Sequence, residues 1–123
     1  MMIRSLVLAA AAAVLAAAGS PAAAHPRLIT ATPAINGVVA ATSTIALEFS
    51  ERLIGQFSGV TITRAGGTVA APASAVKTMT GSDGRTLVAH LRSPLTAGRY
   101  ILAWHAVSTD THRVAGSYRF TIR

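Results

Sequence analysis

Between Thr44 and Ser50 the chain reads TIALEFS, with Ile45, Leu47 and Phe49 alternating against Thr44, Ala46, Glu48 and Ser50. An apolar period of two predicts a half-buried strand, because successive side chains leave opposite faces of an extended backbone. Phe57–Thr63 (FSGVTIT) reads the same way, and Thr86–Leu91 sets Leu87, Ala89 and Leu91 on one face. Arg99–Val107 turns Tyr100, Leu102, Trp104 and Ala106 one way and Ile101, Ala103, His105 and Val107 the other. Ser117–Arg123 closes the series with Tyr118, Phe120 and Ile122 inward. Trp104 is expected to be buried between the sheets with Leu47, Phe49, Leu102 and Phe120.

Turn signals separate these runs: Pro33 to Gly37, Gly66-Gly67, Ser82-Asp83-Gly84, Ser93-Pro94 and Gly116. No helical period shows beyond residue 24. Short strands at this spacing predict an all-β, immunoglobulin-like Greek-key β-sandwich of about seven strands. Leu95-Thr96-Ala97-Gly98-Arg99-Tyr100 resembles the corner of such a sandwich, where a tyrosine hydroxyl ties back to nearby backbone.

The N-terminus follows a different pattern. Arg4 precedes an apolar run from Leu6 to Ala18, then Gly19-Ser20-Pro21 and the small residues Ala22-Ala23-Ala24. The run is shorter than the roughly 20 residues a membrane-spanning helix requires. A charged start, a short apolar middle and a small-residue exit predict a secretory signal peptide over 1–24, cleaved after Ala24. The remainder, 25–123, is long enough for one core, contains no second long apolar run and is expected to be a soluble exported domain.

The chain has 11 Lys and Arg against 4 Asp and Glu, a net charge of +7. One of these charges, Arg4, leaves with the leader, so the mature side chains keep +6. The basic residues are scattered and not interleaved with aromatics, which speaks against a nucleic-acid surface and leaves attraction to an anionic membrane face open. There are no cysteines, so thiolate ligation of a metal is excluded.

Candidate chemistry lies in a few polar residues. Cleavage would leave His25 with a free α-amine beside its imidazole, and amine and ring Nδ1 of one residue can close a chelate on a metal. Nitrogen donors of this kind suit Cu(II). Pro26 has no N–H, so the chelate stops at amine and ring. The same His25 is equally readable as an accident of the cleavage site. Asp110-x-His112 would put a carboxylate and an imidazole on one side of an extended segment, or be a polar turn between strands. His90 and His105, set among apolar neighbours, read as packing or surface histidines. Ser50, Ser58 and Ser108 have no base at meaningful spacing, and no Gly-x-Ser-x-Gly is present.

Taken in order, the motifs carry more than they do singly. They are His25-Pro26-Arg27-Leu28, Thr32-Pro33-Ala34-x-x-Gly37, and Leu47-Glu48-Phe49-Ser50-Glu51 with Phe57-Ser58-Gly59. Pro94-Leu95-Thr96-Ala97-Gly98-Arg99-Tyr100 follows, then Trp104-x-Ala106-Val107-Ser108-Thr109-Asp110-Thr111-His112 and Gly116-Ser117-x-x-Phe120. This series resembles the CopC family of periplasmic copper-resistance proteins over nearly all of 25–123. The resemblance implies a seven-stranded sandwich holding one Cu(II) at one end, through the amine and ring of His25, the carboxylate of Asp110 and the ring of His112. Glu51 matches a further carboxylate near the site in some relatives.

It also implies a periplasmic, non-enzymatic carrier or buffer that can pass copper to an inner-membrane copper transporter. Some relatives hold Cu(I) in a methionine-rich loop, but residues 63–73 here contain no Met and no His, and Met79 is the one methionine after the leader. Two other classes compete: a copper-dependent oxidase or monooxygenase, which needs an open coordination position, and a metal-free interaction module.

Overall fold

Two sheets carry the alternation seen in the sequence. The structure, a computed structural model, describes residues 25–71 and 75–123, so the expected leader at 1–24 lies outside the described residues. The strands are β1 (Leu28–Thr32), β2 (Val38–Val39), β3 (Thr44–Phe49), β4 (Gly59–Arg64), β5 (Val69–Ala71), β6 (Val76–Thr80), β7 (Thr86–Leu91), β8 (Gly98–Val107) and β9 (Arg113–Ile122). One sheet has the order β1-β3-β7-β6 and the other β2-β9-β8-β4-β5. The chain changes sheet at every connection except β4–β5, β6–β7 and β8–β9, which gives the expected Greek-key sandwich. Seven strands have five residues or more; β2 and β5 are short strips at the two edges of the second sheet.

The inward positions of β3, β7, β4, β8 and β9 form one core. Ile45, Leu47, Phe49, Leu87 and Ala89 face Val60, Ile62, Tyr100, Leu102, Phe120 and Ile122, all nearly or fully shielded from water. Tyr100 and Phe120 stack with centroids 5.6 Å apart. Every residue of this core lies within 45–122, so a chain beginning at His25 keeps it whole.

The corner expected at Tyr100 is present. Its hydroxyl donates to the Thr96 carbonyl at 2.6 Å and accepts from Arg64 Nη1 at 2.7 Å. Arg64 Nη2 donates to the Ala97 carbonyl at 2.6 Å, and its guanidinium lies 5.2 Å from the Tyr100 ring centre. Gly98 makes room for this: its φ is +150°, and a Cβ there would stand 2.6 Å from Arg64 Nη2.

Several expectations need correction. The strand expected from Phe57 begins at Gly59, and Phe57 is an exposed member of a 3-10 turn, Gly55–Phe57. β1 and β6, both sheet edges, were not signalled, because LITAT and VKTMT mix threonine with scattered apolar residues and show weak contrast between faces. Trp104 is only partly buried. It packs edge-on against Phe49, with centroids 5.1 Å apart, and spreads over its cross-strand partner Gly116. Gly116 is therefore no turn residue: it lies inside β9, which starts at Arg113, and its missing side chain is the space the indole takes. A Cβ at Gly116 would come within 2.6 Å of Trp104 Cζ2. Gly116→Ala is expected to cost about 1–3 kcal/mol through overpacking and to shift the Trp104 emission. An unchanged melting curve and spectrum would show that the indole does not rest on Gly116.

Candidate metal centre

One end of the sandwich is assembled from the β8–β9 turn, the entry into β1, and the segment after β3. Ser108 opens the turn; its N–H donates to the His112 carbonyl at 2.9 Å, and the Thr111 N–H donates to the Ser108 carbonyl at 2.8 Å. Leu53 pairs with Ser108, and the Thr109 N–H reaches the Arg52 carbonyl at 3.0 Å, so the turn is docked on its neighbour. Thr111 takes φ 72°, a left-handed conformation that disfavours a β-branched residue by about 1–2 kcal/mol. Asp110 and His112 thus come together through a tight turn held against strain, and not through the strand alternation that their spacing suggested.

Within the turn the polar groups form a chain. Ser108, fully buried, donates its hydroxyl to Asp110 Oδ1 in a very short contact. Asp110 Oδ2 lies 3.0 Å from His112 Nδ1. The Ser108 hydroxyl, followed by the His112 ring, holds the Asp110 carboxyl at about 2, well below its ordinary range. An ionised carboxylate only accepts, so the His112 proton belongs on Nδ1 and the Nε2 lone pair is free. This is the way a carboxylate commonly orients a metal-binding imidazole.

His25 arrives from the other side. Its ring meets that of His112 edge to face, with centroids 4.6 Å apart. The approach is fixed by backbone: Pro26 is buried, the Arg27 N–H donates to Ser50 Oγ at 2.9 Å, and the Ser50 N–H returns a bond to the Arg27 carbonyl at 2.9 Å. His25, Asp110 and His112 therefore share one corner. Glu51 adjoins it, lining with Asp110, Arg52 and Arg85 a hollow of about 240 Å³. As they stand, Asp110 is turned towards Ser108 and His112, and among the described residues no three His, Asp or Glu side chains close a finished metal cage. In the full chain His25 is joined to Ala24, so its nitrogen is an amide.

His90 is exposed opposite Thr44 and Lys77. His105 packs on Gly59, where partial burial and then Arg113 lower its pKa. Neither joins the corner. The residues that sequence reasoning missed are Ser50 and Ser108, which position the ring-bearing segments. Their signal is long-range pairing, joined at Ser108 by burial, and local pattern is blind to both.

Residues 28–123 match the family model of the CopC domain. Copper resistance protein C of Pseudomonas syringae pv. tomato is 42% identical over 103 residues, spanning 81% of this chain and 82% of the relative. Copper resistance protein C of Escherichia coli is 40% identical over 104 residues, with coverage of 81% and 82%. The crystal structure of PcoC, a methionine-rich copper resistance protein from Escherichia coli, superposes with a TM-score of 0.72 at 38% identity, over 81% of this chain and 100% of that one. CopC from Methylosinus trichosporium OB3b superposes with a TM-score of 0.70 at 26% identity, over 80% and 93%.

The lowered Asp110 pKa has a consequence for stability. A carboxyl that titrates lower in the folded chain than in the unfolded one supports the fold above its ordinary value near 3.8 and withdraws that support as pH falls through about 2. Acid unfolding should therefore include a component between about pH 4 and pH 2. Ser108→Ala, which removes the largest cause of the shift, should move the Asp110 titration upward and flatten that component. An Asp110 carboxyl resonance titrating identically in both proteins would refute this.

Proposed function

The chain belongs to the CopC family, and from that premise we propose that residues 25–123, exported to the periplasm and freed of 1–24, bind one Cu(II) ion and serve copper resistance as its carrier or buffer. The observation that carries this reading is the approach of His25 to His112, with Asp110 holding the His112 Nδ1 side and leaving Nε2 to the ion. The donors are the amine and ring of His25, the ring of His112 and the carboxylate of Asp110. A carboxylate has lone-pair capacity for a metal beyond the three hydrogen bonds it accepts here. Glu51, across the hollow from the turn, is the reserve carboxylate at the rim. Nitrogen and oxygen donors of this number suit tetragonal Cu(II) and fill its plane, which favours holding and release over oxygen chemistry. The cargo then passes to an inner-membrane copper transporter.

The decisive step is creation of the amine. Before cleavage the His25 nitrogen is an amide and contributes nothing; afterwards the same atom is a donor. A chain that begins at His25 should bind Cu(II) tightly, and one extra residue before His25 should weaken binding roughly 10–100-fold with the fold intact. His112→Ala should weaken it to a similar degree, and binding should decline on acidification as protons compete for the amine and the rings. Copper titration followed by competition with a chelator reads all of these. Full affinity in a protein whose His25 amine is blocked would overturn the proposal.

The oxidation state follows from donor softness. PcoC is methionine-rich, whereas this chain has after its leader only Met79, alone and half exposed on β6. Cu(I), which prefers thioethers, should bind weakly. Tight Cu(I) binding that survives Met79→Leu would refute this.

A further inference from the structure

Charge is divided unevenly between the two ends of the sandwich. All four Asp and Glu side chains belong to the end that carries the metal corner. Glu48 pairs with Thr86 at the close of β3, Asp83 accepts the Arg85 N–H at 2.8 Å in the turn before β7, and Glu51 and Asp110 line one hollow. Arg27, Arg52, Arg85 and Arg113 lie at this same end and match them four for four.

The opposite end holds Arg64, Lys77, Arg92, Arg99, Arg119 and Arg123 and, among the described residues, no Asp or Glu side chain. The whole +6 of the mature chain is therefore concentrated there. The β8–β9 ladder separates the two ends by about 30 Å, at about 3.4 Å per residue. Among the described residues the one ion pair joins Asp110 and His112, so no Asp or Glu side chain is paired with the basic end.

This end also has the surface chemistry of a bilayer ligand. Arg99 pairs with Thr121 and Arg119 with Ile101, which makes the two arginines diagonal neighbours on the outer face of the sheet. Between them lies a hollow of about 340 Å³, lined also by Asn36 and Gly66. Ile35, Val38 and Val69 stand nearby, 56%, 59% and 57% exposed. The one large exposed aromatic, Phe57, is at the other end, so the basic end offers no stacking platform for nucleic-acid bases. The cations are spread over loops and strand ends of both sheets, which matches a plane of negative charge better than a single acidic peptide.

We propose that this basic end docks on a bilayer surface containing anionic phospholipid. Arg99 and Arg119 take headgroup phosphates, for which the guanidinium fork is suited, while Ile35, Val38 and Val69 enter the headgroup layer. The metal corner then points away from the membrane. The inference stands on charge placement and does not depend on the copper reading.

The test is co-sedimentation of the chain beginning at His25 with vesicles of phosphatidylcholine, alone or with one part in three of phosphatidylglycerol. The bound fraction should be roughly tenfold higher on the anionic vesicles and should collapse when salt rises from about 0.05 M to about 0.5 M. The triple substitution Arg99→Gln, Arg119→Gln, Arg123→Gln should abolish binding with an unchanged melting curve. The same change at Arg27, Arg52 and Arg85 should leave binding intact. Equal loss in both triple variants, or binding indifferent to lipid charge, would overturn the proposal. So would retention on immobilised polyglutamate without vesicle binding, which would assign the surface to an acidic protein.

Discussion

Ten consecutive cross-strand pairs, from Gly98↔Ile122 to Val107↔Arg113, lock β8 to β9 and set the geometry of everything else. The inward side of this ladder supplies Tyr100, Leu102, Ala106, Tyr118, Phe120 and Ile122 to the core. One of its ends is closed by the tyrosine corner, where Arg64, Thr96 and Tyr100 bond to one another. The other end is the tight turn that carries Asp110 and His112. A slip of one residue would turn every core side chain to solvent and rotate the turn away from His25. The Trp104–Gly116 pair guards that register: only glycine at the facing position leaves space for the indole.

Rigidity at the corner of His25, Asp110 and His112 comes from serine hydroxyls, buried at Ser108 and Ser58 and half-buried at Ser50. Ser108 fixes the carboxylate of Asp110, which fixes the tautomer of His112. Ser58 accepts the Val107 N–H at 3.0 Å and donates to the Ile54 carbonyl at 2.9 Å, bracing the end of β8. Ser50 clamps Arg27 and with it the approach of His25. Such an arrangement fixes the His112 ring and the Asp110 carboxylate in place before any ligand is present. The left-handed Thr111 fits the same account, since a strained backbone survives where its surroundings over-determine it.

The two ends of the molecule have different electrostatic characters. At the corner of His25, Asp110 and His112 equal numbers of opposite charges keep the neighbourhood near neutral. The far end concentrates the excess positive charge. Segregation of this kind leaves one end near neutral while keeping the chain strongly cationic.

Much of this was legible before any fold was built. The strands β3, β7 and β8 follow directly from period-two alternation, because that signal needs only neighbouring residues and burial on one face. The tyrosine corner was legible for the same reason, as its donor and acceptor are four residues apart. The imidazoles of His25 and His112 and the carboxylate of Asp110 were legible too, since side-chain identities are ones that no packing alters. Tertiary structure alone decided where they meet. The contact of His25 with His112 depends on β1 pairing with β3 and on the docking of Leu53 against Ser108, neither of which leaves a local pattern. Net charge was likewise a sum available from composition, but its division between two ends exists only once strands run antiparallel and bring distant residues to one pole.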